Sequence, residues 1–270
     1  KVSTTEKQAF LQLKCNVWVE TRADPWMSIS VWDEQPVSVP LPGLDAYGGL
    51  DMASTTDLAA FALWFPDAYE EVEKLDPNGI APPVVTRIPK SGQALWWFWL
   101  PEEGLKRREA QTGGAAIRAW VEQGWIRVGS GETIDYDQVF ADIVGPEIGG
   151  RYNIRSMARD PWNSSQIGRQ LENEGYTVIH MNQTIGKLNE PTKMWEKLLL
   201  DRAFRHDGNP VMRWMFGNIV LMKDRYQNVR IDREKSGDKI DGGAALVMAI
   251  SEGMAPEEFY DGPLIVRSKK

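Results

Sequence analysis

The segment Gln93-Ala94-Leu95-Trp96-Trp97-Phe98-Trp99-Leu100 constrains the fold more than any other stretch of this chain. It is bounded by Gly92 and Pro101, and it is far shorter than the ~20 apolar residues that a membrane helix needs. Its bulky aromatic side chains suit a buried strand, which needs neighbours to pair with. The preceding sequence supplies them. Ala46-Tyr47-Gly48-Gly49-Leu50-Asp51 and Asp57-Leu58-Ala59-Ala60-Phe61-Ala62-Leu63-Trp64-Phe65 are short apolar runs around the polar Ser54-Thr55-Thr56, and they predict two strands joined by a hairpin turn.

Beyond Pro101 the pattern alternates. Pro101-Glu102-Glu103 opens a helix with acidic residues where the helix dipole favours them. Residues 113–124 predict a second helix, 125–128 a short strand, and 135–143 an amphipathic helix with Tyr136, Val139, Phe140 and Ile143 on one face. Residues 152–157 predict a strand, 164–174 a helix ended by Gly175, and 176–180 another strand. A long helix over 188–204 and a Met-rich apolar segment over 211–222 read as covering layers. The charged tract 223–239 reads as a solvated hairpin or loop, and Ile240-Asp241-Gly242-Gly243-Ala244-Ala245 begins an apolar helix with one acidic residue at its start. Such alternation implies an α/β sheet flanked by helices. Residues 5–19 look helical, and the Pro- and Trp-punctuated remainder of 1–45 reads as a connecting arm.

Composition narrows the chemistry. At 270 residues, 42% hydrophobic and 26% charged, the chain suits one large globular domain. Its 12 tryptophans read first as core, because aromatic side chains bury large areas. One cysteine, Cys15, excludes an internal disulfide and a cysteine zinc site, and two histidines, His180 and His206, exclude a His-rich metal site. Any metal must therefore be held by oxygen. A net charge of -7 argues against a general nucleic-acid coat but leaves room for a local basic groove. The start at Lys1, without a signal pattern, reads as an excised or processed piece.

Three aspartates lie at the edges of apolar elements: Asp51 at the end of the first strand, Asp160 after a later strand, and Asp241 at the start of the Ala-rich helix. Carboxylates on rigid elements can converge on Mg²⁺ or Mn²⁺, which prefer oxygen ligands. Two such ions about 3.5 to 4 Å apart can clamp a phosphodiester. Each aspartate also has a structural reading, as a turn cap with Ser54 or Thr55, an Asp-Pro turn, or a helix cap. Their order along the chain favours ribonuclease H-like metal nucleases.

The motifs then resemble the C-terminal nuclease domain of the terminase large subunit of tailed bacteriophages. The pieces are Tyr47-Gly48-Gly49-Leu50-Asp51-Met52-Ala53-Ser54 with Thr56-Asp57-Leu58, Trp99-Leu100-Pro101-Glu102, Trp120-Val121-Glu122-Gln123-Gly124-Trp125-Ile126, Ile134-Asp135-Tyr136, and Lys239-Ile240-Asp241-Gly242-Gly243-Ala244-Ala245-Leu246-Val247-Met248-Ala249. The resemblance implies a ribonuclease H-like mixed sheet flanked by helices over residues 46–270, with an aromatic-rich insertion at about 67–150. It implies an endonuclease that cuts concatemeric viral double-stranded DNA during packaging with two Mg²⁺ or Mn²⁺ ions, held by Asp51, Asp160 and Asp241, with Asp57 in reserve for Asp160. Lys239, two residues before a metal carboxylate, is the candidate for neutralising the cleaved phosphate or tuning a nearby water. Basic residues in 151–159 and 223–239 are candidate phosphate contacts. Portal protein and small terminase subunit are the implied partners, the host cytoplasm the implied location, and the isolated domain is expected to be monomeric. No G-x-x-x-x-G-K-[ST] phosphate loop occurs, so no nucleotide hydrolysis is expected, and 1–45 would lead from a missing ATPase motor. The alternatives are a resolvase or transposase core, distinguished by branched-DNA preference, and a non-enzymatic assembly module that exposes its aromatic residues for docking.

Overall fold

The computed structural model describes residues 25–52, 57–74, 84–110, 114–161, 164–236 and 238–255. The expected helix at 5–19, Cys15 and the turn residues 54–56 lie outside them. In chain order the described elements are α1 (Ile29–Asp33), β1 (Asp45–Asp51), β2 (Ala59–Lys74), β3 (Val84–Pro101), α2 (Glu102–Glu109), α3 (Gly114–Glu122), β4 (Ile126–Gly129), α4 (Tyr136–Val144), β5 (Asn153–Arg159), α5 (Ser165–Asn173), β6 (Val178–His180), α6 (Ile185–Leu200), β7 (Phe204–His206), α7 (Pro210–Asn218), β8 (Leu221–Lys223), β9 (Val229–Ile231) and α8 (Asp241–Gly253).

One mixed sheet organises them, in the order β4-β3-β2-β1-β5-β6, with β7 also pairing with β3. β2 is antiparallel to β1 and β3, whereas β5 runs parallel to β1, β6 parallel to β5, and β4 and β7 parallel to β3. Residues 67–150, read from the sequence as an insertion, contribute all of β3 and β4 and the outer end of β2 to this sheet. The β2-β3 pairing continues outward as far as Lys74 opposite Val84, so the central meander carries a long hairpin.

Period-two alternation sorts the side chains between the faces. Ala60, Ala62 and Trp64 of β2, with Trp96, Phe98 and Leu100 of β3, pack on one face with α6, α7 and α8. Ala59, Phe61, Leu63 and Phe65, with Leu95 and Trp99, pack on the other with α4 and α5. Trp32 of α1 is 1% exposed and stacks on His206, with ring centroids 4.3 Å apart. Thus Trp26, Met27, Ile29, Val31 and Trp32, within the stretch read as a connecting arm, pack into the main core, whereas Val37, Val39, Leu41 and Leu44 beyond them are exposed. The aromatic segment of β3 is likewise internal: Trp96, Trp99 and Trp120 are buried. Among the described residues, Tyr226 is the one aromatic side chain that ranks with the exposed large hydrophobics, so they present no exposed aromatic patch of the kind the docking module would need.

α8 is buried along almost its whole length because it lies directly on the sheet. Gly49 permits this approach, since a Cβ there would overlap the carbonyl oxygen of Ala245 and come within 2.8 Å of the Ala249 amide nitrogen. Ala244, Ala245 and Ala249 keep the helix side of the contact thin.

Two sequence expectations need correction. The long helix ends at Leu200 rather than near 204, where Phe204–His206 instead forms β7. His206, just beyond the helix end that the sequence predicts, is consequently a buried strand residue. The helix also carries Pro191, whose missing amide would interrupt the hydrogen-bond ladder but does not end the element.

Candidate active site at the carboxyl edge of the sheet

β1 and β5 are parallel neighbours with Leu50 opposite Arg159, so Asp51 and Asp160 leave the sheet at the same edge. The Asp160 amide donates to the Leu50 carbonyl at 3.4 Å. α8 runs against β1 in the opposite sense, with Ala245 over Gly49 and Gly253 near Tyr47, and this brings its first residue, Asp241, to the Asp51 end. Two strand ends and one helix start therefore meet where the sequence has carboxylates.

Asp51 is 2% exposed and Asp241 is 9% exposed. Burial pushes the Asp51 carboxyl above its ordinary value, against the lowering pull of Arg233, and the charge of Asp160 raises it further. Burial first, and then the charge of Asp51, push Asp241 up to about 6. Each of these carboxylates thus makes the other harder to ionise. Asp241 Oδ2 is buried and has no hydrogen-bond partner.

Arg233, in the turn between β9 and α8, crosses this group. One Nη of its guanidinium is paired with Asp51 Oδ2, and the other lies 3.9 Å from Asp241 Oδ1. Its Nε donates to Gln183 Oε1 at 3.3 Å, and Gln183 Nε2 donates to Asp51 Oδ1 at 3.5 Å. The neighbouring carboxylates hold the guanidinium protonated even more firmly than usual.

A second network fixes the Asp160 loop. Arg159 is 2% exposed, donates from Nη1 to Ser164 Oγ at 2.9 Å, and contacts the His180 ring. Ser164 Oγ in turn donates to the Asp160 carbonyl. Gly168 leaves the space for the guanidinium, since a Cβ there would come within 2.8 Å of Arg159 Cζ. Arg159 is therefore internal and not the phosphate contact that its place in 151–159 suggested.

Lys239 Nζ is ion-paired with Asp57, which also receives Arg108 Nη2 at 3.2 Å. Asp57 further accepts from the Leu58 amide at 3.0 Å. Asp57 thus gathers cations, while Asp51 and Asp241 share Arg233. Lys239 acts on the carboxylate pair through its charge, which lowers the proton affinity of Asp241. Sequence reasoning missed Arg233, Gln183 and the Arg159-Ser164-His180 network. Arg233 stood among other cations of a polar tract, and nothing in its spacing marked it out.

An all-oxygen donor set with an orphaned buried carboxylate oxygen fits a hard divalent cation. Among the described residues, no three His, Cys, Asp or Glu side chains form a ready-made cage. Asp51 and Asp241 are the interacting pair, and Asp160 adds its charge from the adjacent strand end.

A mixed sheet with a single antiparallel strand, helices on both faces and aspartates at one edge defines the ribonuclease H-like class of folds. Within that class, the chain belongs to the family described as "Terminase large subunit, endonuclease domain", which it matches over residues 99–257. The terminase large subunit of Enterobacteria phage HK97 is 28% identical over 249 residues, which cover 90% of this chain and 44% of that protein. Protein YmfN of Escherichia coli (strain K12) is 26% identical over 206 residues, covering 71% of this chain and 43% of that one. The crystal structure of the HK97 bacteriophage large terminase aligns with a TM-score of 0.66 at 26% identity, covering 93% of this chain and 48% of the other. The chain therefore spans less than half the length of these relatives.

Proposed function

We propose that this domain hydrolyses phosphodiester bonds of double-stranded DNA, cutting concatemeric viral DNA during genome packaging. Asp51, Asp160 and Asp241 would hold two Mg²⁺ or Mn²⁺ ions. The observation that carries this reading is the buried Asp51-Asp241 pair, with its partnerless Asp241 oxygen, in a chain of the terminase endonuclease family. Such ions, when bound, supply a water of lowered pKa and stabilise charge on the phosphoryl oxygens.

The residues of the chain have distinct tasks. Asp51 and Asp241 sit on a strand and a helix locked together at Gly49, so their spacing is set by backbone packing. Arg159 and Ser164 tie down the backbone at Asp160. Lys239 favours the ionised form of Asp241, the form that binds a metal. On this reading residues 46–270 are the nuclease unit, residues 1–45 lead into it, and portal protein and small terminase subunit position it. The work would take place in the host cytoplasm, the isolated domain being monomeric. None of the described helices is long and apolar enough to cross a membrane.

The direct test is plasmid cleavage in Mn²⁺, Mg²⁺ or EDTA by the wild type, Asp51→Asn and Asp241→Asn. Metal-dependent nicking or linearisation that both substitutions abolish is expected. Full activity in both variants would sink the assignment.

A further inference from the structure

We infer that Arg233 is an internal counter-cation that occupies the carboxylate pair in the metal-free protein and gives way when a divalent ion binds. This inference rests on the metal-site reading above. The guanidinium pairs with Asp51 Oδ2 and approaches Asp241 Oδ1, so it neutralises part of the charge that a dication would otherwise neutralise. The same Asp51 oxygen cannot keep its hydrogen bond to Arg233 and also donate that lone pair to a metal. A dication between the aspartates would in addition repel the guanidinium.

The side chain has somewhere to go. Asp51 and Asp241 side chains are 3% and 12% exposed, but that of Arg233 is 44% exposed, so the cation reaches in from the solvent rim. Its backbone is fixed, and its head is held by Asp51 and Gln183 at the half-open rim. Buried Asp232 accepts from the Glu234 and Lys235 amides at 3.1 and 3.2 Å, and its own amide donates to the Val220 carbonyl at 2.8 Å. Displacement therefore moves the guanidinium along the rim without dismantling the turn. Gln183 links the two states, because it holds Asp51 and Arg233 at once and stays beside Asp51 once Arg233 leaves.

The test is a Mn²⁺-binding isotherm without DNA, measured calorimetrically on the same chain carrying Arg233→Ala, Arg233→Gln or Asp51→Asn. Loss of the competing cation should tighten Mn²⁺ binding by about fivefold or more, which is about 1 kcal/mol. Arg233→Gln, which retains hydrogen-bonding capacity without the charge, should behave alike and serves if the alanine variant folds poorly. Unchanged or weaker binding in the folded variants overturns the inference while leaving the metal site standing, provided that Asp51→Asn abolishes binding. Absence of Mn²⁺ binding by the wild type, or binding that Asp51→Asn leaves intact, overturns the metal-site reading and the inference with it.

Discussion

Asp241 concentrates the conflict between stability and function. Its carboxylate is buried against a like charge, with one oxygen lacking a partner, so ionisation is costly in the metal-free fold. Asp241→Asn should therefore raise the melting temperature in EDTA at pH 7.5 by a few degrees, as expected from about 1 kcal/mol, while abolishing cleavage. A lower melting temperature would show that the carboxylate is stabilising as it stands. Asp207, before α7, makes the same argument away from the site. Burial pushes it up to about 7 from an ordinary 3.8, although it accepts the Asn209 amide at 3.0 Å. Because the folded value is the higher one, the native state holds the proton longer than the unfolded chain. Asp207 thus lowers stability progressively as pH rises from about 4 to about 7, and the loss is complete above that. Urea denaturation should find Asp207→Asn more stable than wild type at pH 8, with the gap closing towards pH 5. A gap that widens on acidification would refute the assignment.

At the scale of elements, the contact of α8 with β1 decides whether the site exists. Gly49→Ala should cost about 3 kcal/mol or more, since the new methyl group meets helix backbone that cannot yield without shifting α8. Chemical denaturation measures the loss, and activity should fall with it as Asp241 moves from Asp51. Gly186, inside α6, has open space where a methyl group would stand, with nothing within 4 Å, so Gly186→Ala should stabilise by about 0.5 to 1 kcal/mol. Most elements were legible in the sequence. Asp135 caps α4 by accepting the Asp137 and Gln138 amides, both at 3.0 Å, and Gln93 to Leu100 lies within β3. β7 was not legible, because Phe204-Arg205-His206 is too short for a period and becomes a strand only by pairing with Gly92, Gln93 and Ala94.

For the whole molecule, a sheet with one antiparallel strand places β1 and β5 side by side although about a hundred residues of other structure separate them along the chain. The carboxylate edge is therefore a product of topology, and its stability should respond to metal as a unit. In EDTA the raised Asp241 makes the fold less stable as pH rises from about 4 to about 6, and the raised Asp51 adds a loss of the same sign. Saturating Mn²⁺ should offset this by about 2.7 kcal/mol at a hundredfold excess over Kd. A melting temperature indifferent to Mn²⁺ at pH 7.5 would argue against a metal at this edge. The sequence by itself determined the alternation of strands and helices, the aromatic interior and the three aspartates, because periodicity, caps and side-chain size act over a few neighbouring residues. Only the tertiary structure decided that Arg233 lies across Asp51 and Asp241, that Lys239 turns to Asp57, and that Arg159 is internal. Those outcomes depend on which charges are brought together and how far they are removed from water, and that is settled when distant segments pack.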